Sequence, residues 1–475
     1  MAQDLAMTMA VADRSKMSRG KIPNLRALRD FAKSLNGSVI APGDPLYPKA
    51  RRVWNHAVDV HPALIVRCAN TRDVVRSVEF ARQHGLLTAI RCGGHSFAGH
   101  GVCEAGLVID LSSMKRAGID PLRKVITIQA GVLAGELDCL TQAFKLAVPL
   151  GSCPSVGVAG YALGGGEGSL TTRLGYGCDN ITHVEVVTAD ARVLVAGVHE
   201  NPDLFWAMRG AGANFGVATS LEFKLHPVET VLSGHLKFPL RQARRVLRFL
   251  DDYALTIPDE LGLTAAVLPY PGERMLDIAV VWSGAEKAGE RVLRPLRTFL
   301  HPFEDNIKIN PYLEEQRAGT GTPGEGDYSS HRKSGHLEKL SANTIEVIAQ
   351  YTHSAPSEAS GITMIYWHGP WCSGAHDNAF GFRRVGFEYW IHAYWKKPGD
   401  RQRSWAWVEE FYAAMEPLSS GAVYVNGLEN ESDDRVISAY GDSYRRLTRL
   451  KRKYDPDNFF RVNQNIRPAP SPSRT

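Results

Sequence analysis

Two glycine-flanked turns carry a histidine and a cysteine, the cysteine a nucleophile candidate. His95 belongs to Arg91-Cys92-Gly93-Gly94-His95-Ser96, and Cys153 to Gly151-Ser152-Cys153-Pro154-Ser155-Val156-Gly157. An imidazole and a thiolate are both nucleophiles. Taken singly, each has an ordinary reading. A histidine in a tight turn is commonly buried and hydrogen-bonded, and an intracellular cysteine is commonly a small apolar filler. Cys153, however, opens the stretch GSCPSVGVAGYALGGGEGSLTTRLGYGCDN, residues 151–180, in which nine of thirty residues are glycine. Val156, Val158, Tyr161 and Leu163 interleave and serine is sparse, so a flexible linker explains it poorly. So much glycine implies positive φ angles and a backbone pressed against a flat or charged ligand. Successive N–H groups there would form concave sites for phosphate and polar ring edges.

Two other patterns carry less. Gly210-x-Gly212-x-x-x-Gly216 nearly matches a dinucleotide turn, but helix-like residues precede it and a strand follows, the reverse of the required context. Cys92, His95, His100 and Cys103 lack standard ligand spacing, and no metal is expected.

These residues need elements to position them. Residues 1–20 read as a loosely packed lead-in. Leu25, Leu28, Phe31 and Leu35 recur at helical spacing up to Gly37. A strand over 63–68, a helix from Thr71 carrying Val74, Val75, Val78 and Ala81 to its stop at Gly85, and a strand over 86–90 deliver the chain into the His95 turn. Strands follow over 108–111 and 125–129, then a helix through Leu133, Leu137, Leu140 and Phe144. Beyond the glycine-rich stretch come a hairpin over 182–188 and 192–196, a helix over 201–209 and a strand over 217–225. From residue 231 glycine thins. Helices over 242–253 and 285–299 alternate with strands over 261–268, 276–282, 362–367 and 385–394, and the polar residues 317–335 read as a loop or lid. Tyr366 with His368, and Glu388 with Trp390, share strand faces and are pocket candidates. Tyr424-Val425-Asn426 reads as a strand end. One helix through Ile437, Tyr440, Tyr444 and Leu447 follows, with the basic run 445–453 on its polar face and last turn.

Composition sets bounds. The 475 residues suffice for two or three domains, and 44% hydrophobic with 22% charged residues is ordinary for a globular protein. A net charge of +5 permits an acidic ligand but makes no case for nucleic acid. Seven cysteines without a CxxC pair exclude a disulfide scaffold or zinc ribbon. No apolar run of spanning length and no signal-peptide core are seen, so a cytoplasmic, reduced protein without membrane partners is expected.

The RCGGHS turn, the GSCPSVG turn and LGGGEG together resemble the berberine-bridge-enzyme-like flavoproteins of the vanillyl-alcohol-oxidase superfamily. The likeness runs on through 175–180 and 201–216 to the ending YDPDNFFRVNQNI. It implies an α+β fold: a two-part PCMH-type FAD-binding domain over 59–230, a substrate domain with an antiparallel sheet covered by helices over 231–420, and a returning segment over 421–467. Residues 1–58 form a lead-in and 468–475 a tail.

The resemblance also implies FAD held covalently, by His95 at the 8α-methyl carbon and by Cys153 at C6. Arg91, Gly93, Gly94 and Ser96 of one turn, with Val156, Gly157, Gly160, Gly164, Gly165, Gly166 and Gly168 of the other stretch, would lie along the pyrophosphate and flavin edges. Asn463 and Asn465 would join them from the C-terminal ending. Tyr161 stands where many members carry a histidine near flavin N1, and Val156 at the oxygen-gating position looks oxygen-permissive. Tyr424 would take the substrate's hydroxyl proton. The implied reaction is oxidation of an alcohol or hemiacetal of a sugar or secondary metabolite, with dioxygen as acceptor. Oxidative cyclisation of a phenolic or N-methylated compound, or a flavin-carrying redox module, are the alternatives. The partners expected are a small-molecule substrate and dioxygen; the oligomeric state stays open.

Overall fold

Short strands that are apolar on both faces suit the middle of a parallel sheet, and the first unit is built that way. The computed structural model describes residues 24–270, 273–318, 328–374 and 376–470. Helix α1 (Leu25–Lys33) leads to β1 (Ser38–Ile40), β2 (Leu64–Arg67), helix α2 (Thr71–His84), β3 (Thr88–Arg91) and β4 (Leu107–Asp110). β4 lies parallel between β2 and β3, and β1 is antiparallel on the outer side of β2. Asn70 rather than Thr71 caps α2, and Gly85 ends it in the left-handed region at φ 63°.

A second, antiparallel sheet follows. It contains β5 (Ala117–Asp120) and β6 (Val125–Gln129), then β7 (Ile181–Val187), β8 (Val193–Gly197) and β9 (Val217–Lys224), in the order β5-β6-β9-β7-β8. Three helices, Ala134–Gln142, Val158–Leu163 and Pro202–Ala211, pack with it, and one apolar cluster joins both sheets to the C-terminal segment.

The third sheet is also antiparallel. Its main strands are β10 (Thr230–Pro239), β11 (Leu261–Tyr270), β12 (Glu273–Trp282), β13 (Ser329–Leu337), β14 (Gly361–Trp367) and β15 (Gly386–Trp395), ordered β10-β12-β11-β14-β15-β13. The two-residue period of a strand sorts β15 between two environments. Phe387, Tyr389, Ile391 and Ala393 join an apolar cluster with Leu247, Leu293, Ile345 and Phe411 from the covering helices. Trp390, His392 and Tyr394 face the other way, into a cavity shared with the first two sheets. Tyr366 belongs to the helix-side cluster, so of the two pocket pairs read from the sequence only Glu388 with Trp390 lies on the cavity side.

Several expectations need correction. The lead-in 1–20 lies outside the described residues, as do 319–327 of the polar loop and 471–475 of the tail. Residues 329–335 are strand, in register with β15. Their polarity hid this, because buried partners satisfy it: His331 is held between Glu409 and Glu429 at 2.7 Å each. Tyr424 precedes a short 3-10 turn, Val425–Gly427, and no strand ends there. The C-terminal helix is two, Asp433–Tyr440 and Tyr444–Tyr454, broken at Gly441 where φ is 50°. Among the described residues no helix is long and apolar enough to cross a membrane.

The basic run 445–453 is not all surface. Lys451 is fully buried: its ammonium donates to the carbonyls of Asn214 and Phe460 and pairs with Asp455 at 2.7 Å. Asp455 also accepts the N–H groups of Phe459 and Phe460, so this one pair closes the C-terminal ending onto the Asn214 turn. Lys451→Met would leave a buried carboxylate without its cation, and we expect a loss of about 3–5 kcal/mol in denaturant unfolding. Lys453→Ala, which removes an exposed partner of Asp203, should lose under about 1 kcal/mol in the same measurement.

Candidate active site

The His95 turn begins where β3 ends, and the Cys153 turn leads into the helix Val158–Leu163. The two meet glycine against glycine. A Cβ on Gly93 would stand 2.5 Å from Gly157 N and 2.6 Å from Ser155 O, and one on Gly157 would stand 2.6 Å from Gly93 N. All of these are backbone atoms that cannot swing aside, so any larger residue would force the turns apart. With them in contact, Ser155 Oγ lies 2.9 Å from His95 Nε2 and 3.8 Å from Cys153 Sγ. One hydroxyl therefore touches both nucleophiles.

They open onto a cavity of about 450 Å³. Arg91, Gly93, Gly94, His95 and Ser96 line it from the first turn, and Cys153, Val156, Gly157, Gly160, Tyr161 and Gly164 from the second. Asn463 completes this wall, while Thr363, Ile365 and Trp390 of the third sheet form the opposite one. Gly165, Gly166, Gly168, Tyr424 and Asn465 stand outside the lining. Gly166, at φ 78°, turns its carbonyl to Gly177 N–H and its own N–H to the Tyr424 hydroxyl, so this part of the loop braces neighbouring chain. Tyr424 is 1% exposed, and its hydroxyl also accepts from Asn426 Nδ2 at 2.7 Å. The glycines of the near-dinucleotide pattern, Gly210, Gly212 and Gly216, line the same cavity.

Burial sets the protonation of these groups. Burial and then the nearby charge of Arg332 bring His95 down to about 4, so its imidazole is neutral, the form that can act as a nucleophile. Burial pushes the Cys92 thiol up to about 12, which leaves Cys92 protonated and inert. Arg91 is committed to Asp110 at 2.7 Å, and both side chains are buried. Tyr161 donates its hydroxyl to the carbonyl oxygen of Glu167 at 2.8 Å, and burial holds the phenols of Tyr161 and Tyr424 well above their ordinary range.

Sequence reading named Glu388 as a pocket candidate but missed the second carboxyl that pairs with it. Glu167, from Gly-Glu-Gly of the glycine-rich stretch, lines the cavity and meets Glu388 of β15. Trp367 Nε1 donates to Glu388 Oε2 at 2.7 Å, while Glu167 Oε2 and Glu388 Oε1 find no protein donor. Burial and mutual repulsion raise Glu167, and burial raises Glu388, so the two share a proton at neutral pH. The signal available beforehand was a lone glutamate among glycines; its partner lies on a distant strand. Ser155, Phe97, Arg332 and Gln464 were likewise invisible as site residues.

The residues present fit a flavin dinucleotide. The floor is glycine backbone; a Cβ on Gly160 would enter open space, and Asn463 Oδ1 is buried without a partner on the cavity wall. Among the described residues no group of three or more His, Cys, Asp or Glu side chains could hold a metal ion.

Comparison with known proteins agrees. Residues 62–197 match a family model described as an FAD binding domain, and residues 423–467 one described as berberine and berberine like. An FAD-linked oxidoreductase of Dictyostelium discoideum is 30% identical over 456 residues, covering 95% of this chain and 99% of that protein. The (R)-6-hydroxynicotine oxidase of Paenarthrobacter nicotinovorans is 30% identical over 458 residues, covering 92% and 98%. The crystal structure of 6-hydroxy-D-nicotine oxidase from Arthrobacter nicotinovorans superposes with a TM-score of 0.85 at 29% identity, covering 92% of this chain and 99% of that one.

The carboxyl pair has a consequence for stability. Both groups are raised in the folded chain, so their contribution is complete in mild acid and is lost as pH rises through their folded values. Glu388→Gln removes one of the two charges that must be buried. Its melting temperature should therefore fall less steeply than the parent's between pH 5 and pH 9; parallel slopes would contradict the shared-proton assignment.

Proposed function

Because this chain belongs to the berberine-bridge-like FAD-linked oxidoreductases, we propose that it is an oxidase that holds FAD covalently through His95 and Cys153 and oxidises an alcohol or hemiacetal carbon. The contact of Ser155 with both side chains at the edge of a glycine floor is the observation that carries the covalent part. When bound, FAD supplies a hydride acceptor at N5, and dioxygen returns it to the oxidised form with release of hydrogen peroxide.

The chain's own residues divide the remaining work. Gly93 and Gly157 hold the two turns in contact, and Gly160, with open space where a Cβ would stand, leaves bare backbone against which a ring system would fit. Val156 lines the cavity wall, and at the position the resemblance assigns to the oxygen gate it would leave room for dioxygen to approach. Tyr161 keeps its proton and orients its ring through the Glu167 carbonyl. For the substrate's hydroxyl proton, the Glu167–Glu388 pair is better sited than Tyr424. It borders the cavity and, holding one proton, has room for a second, whereas the Tyr424 hydroxyl is engaged by Gly166 and Asn426 behind the wall. The third sheet, with Trp390 and Ile365, would cover the substrate and exclude water.

Precipitation in acid tests the linkage. FAD should stay with the parent protein and with His95→Ala and Cys153→Ala singly, and leave only the double variant; FAD released from the parent would refute covalent attachment. Peroxide release across a panel of sugars and aromatic alcohols tests the oxidase. Stopped-flow reduction then separates the proton acceptors. Glu167→Gln should slow flavin reduction by on the order of a hundredfold and Tyr424→Phe little, and the opposite ranking would return the role to Tyr424.

A further inference from the structure

One buried cation on the cavity wall has no anion to answer it. Arg332 of β13 is 6% exposed and lines the cavity. Its sequence neighbours are paired: His331 sits between Glu409 and Glu429, and Lys333 reaches Glu431 at 3.2 Å. Among the described residues no carboxylate lies within 4.0 Å of the Arg332 guanidinium. Four aromatic rings surround it instead. The centre of Phe97 is 3.5 Å away, and those of Trp54, Tyr394 and Trp390 are 5.6, 5.7 and 5.9 Å away. One terminal nitrogen donates to the Tyr394 hydroxyl at 2.8 Å, and Nε has no partner.

A guanidinium carries five N–H donors in a planar fork suited to two oxygens at once. Ring faces offset part of the cost of burying its charge, but they accept no hydrogen bond in the plane of the fork. The cavity is also polarised. Arg332 stands beside His392 in the register of β13 on β15, and Glu388 lies four residues back along β15, on the order of 13 Å away. A positive group near the His95 end thus faces a proton-accepting pair at the other. A ligand with a carboxylate at one end and a hydroxyl at the other would align along that axis.

We propose that Arg332 anchors a substrate carboxylate, so that the preferred substrates of this site are hydroxy acids. The carboxylate docks edge-on to the guanidinium within the aromatic cage, and the carbinol carbon lies deeper, toward Glu167 and Glu388. This assignment rests on the oxidase reading above, but binding tests it separately.

The experiment uses the flavin-loaded parent with Arg332→Met and Arg332→Lys, and benzoate and benzyl alcohol as probes, followed by perturbation of the flavin absorbance. Benzoate should bind the parent, at least about thirtyfold more weakly to Arg332→Met and at an intermediate affinity to Arg332→Lys, while benzyl alcohol binding changes less than threefold. Peroxide release should show the same split between 4-(hydroxymethyl)benzoate, whose carboxylate and carbinol lie at opposite ends of the ring, and benzyl alcohol, through KM more than kcat. No benzoate response in the parent, or equal weakening of both probes, would overturn the proposal. Loss of FAD content in both variants would overturn it too, by assigning Arg332 to the cofactor. Benzoate binding as expected, with no peroxide from any alcohol, would instead fault the oxidase reading alone.

Discussion

The site depends on two backbones touching where no side chain can come between them. Gly93 and Gly157 belong to turns far apart in sequence, and each occupies the volume that the other's Cβ would need. Everything chemical follows from that contact. It brings His95 and Cys153 to either side of the Ser155 hydroxyl, and it leaves the floor of the cavity as bare peptide. A substitution that stabilised either turn alone, by lowering the entropy of its unfolded chain, would separate them. The glycines therefore cost conformational entropy that the rest of the fold must offset, through the apolar cluster joining both sheets to the C-terminal segment.

Local pattern reached much of this, and its limits are instructive. Strands β2 and β6 and helix α2 were legible because apolar periodicity and a glycine stop are local signals. The His95 and Cys153 turns, which meet at the Ser155 hydroxyl, were legible because each is a short motif. What pattern could not reach is whatever long-range pairing decides. Residues 329–335 look like a polar loop until Glu409, Glu429 and four aromatic rings are brought to them. Lys451 looks solvated until Asp455 and two carbonyls enclose it. Glu167 looks like one more loop carboxylate until Glu388 arrives from another sheet. The loop and the basic run were read as solvated because polarity predicts exposure on average, and a buried polar residue is tolerated only with partners that sequence proximity does not reveal.

The same reasoning separates the two tyrosines. Tyr161 and Tyr424 are equally plausible as strand or loop aromatics, and burial raises both phenols. Their difference is positional: one ring borders the cavity, and the other lies behind the Gly165–Gly166 bend, with its hydroxyl already accepting two hydrogen bonds. A group can take a proton only from an atom it can approach, so geometry outranks residue type when the two disagree.

The third sheet shows why such a scaffold can be respecified without disturbing its flavin side. Along β15 the residues that build the apolar core under the helices alternate with those that face the cavity. Exchanging Trp390, His392 or Tyr394 changes what the cavity admits, while Phe387, Tyr389 and Ile391 continue to hold the strand in place. The His95 and Cys153 turns line the cavity from other parts of the chain, while the helix-side residues of β15 belong to a separate apolar cluster; only the cavity-side residues Ile365, Trp367 and Trp390 pack with the cluster that holds the helix Val158–Leu163. Glu388 is the exception, because it is on β15 and yet bonded through Glu167 to the glycine-rich stretch. A change there would alter both walls together, which makes it the position at which substrate choice and proton handling are least separable.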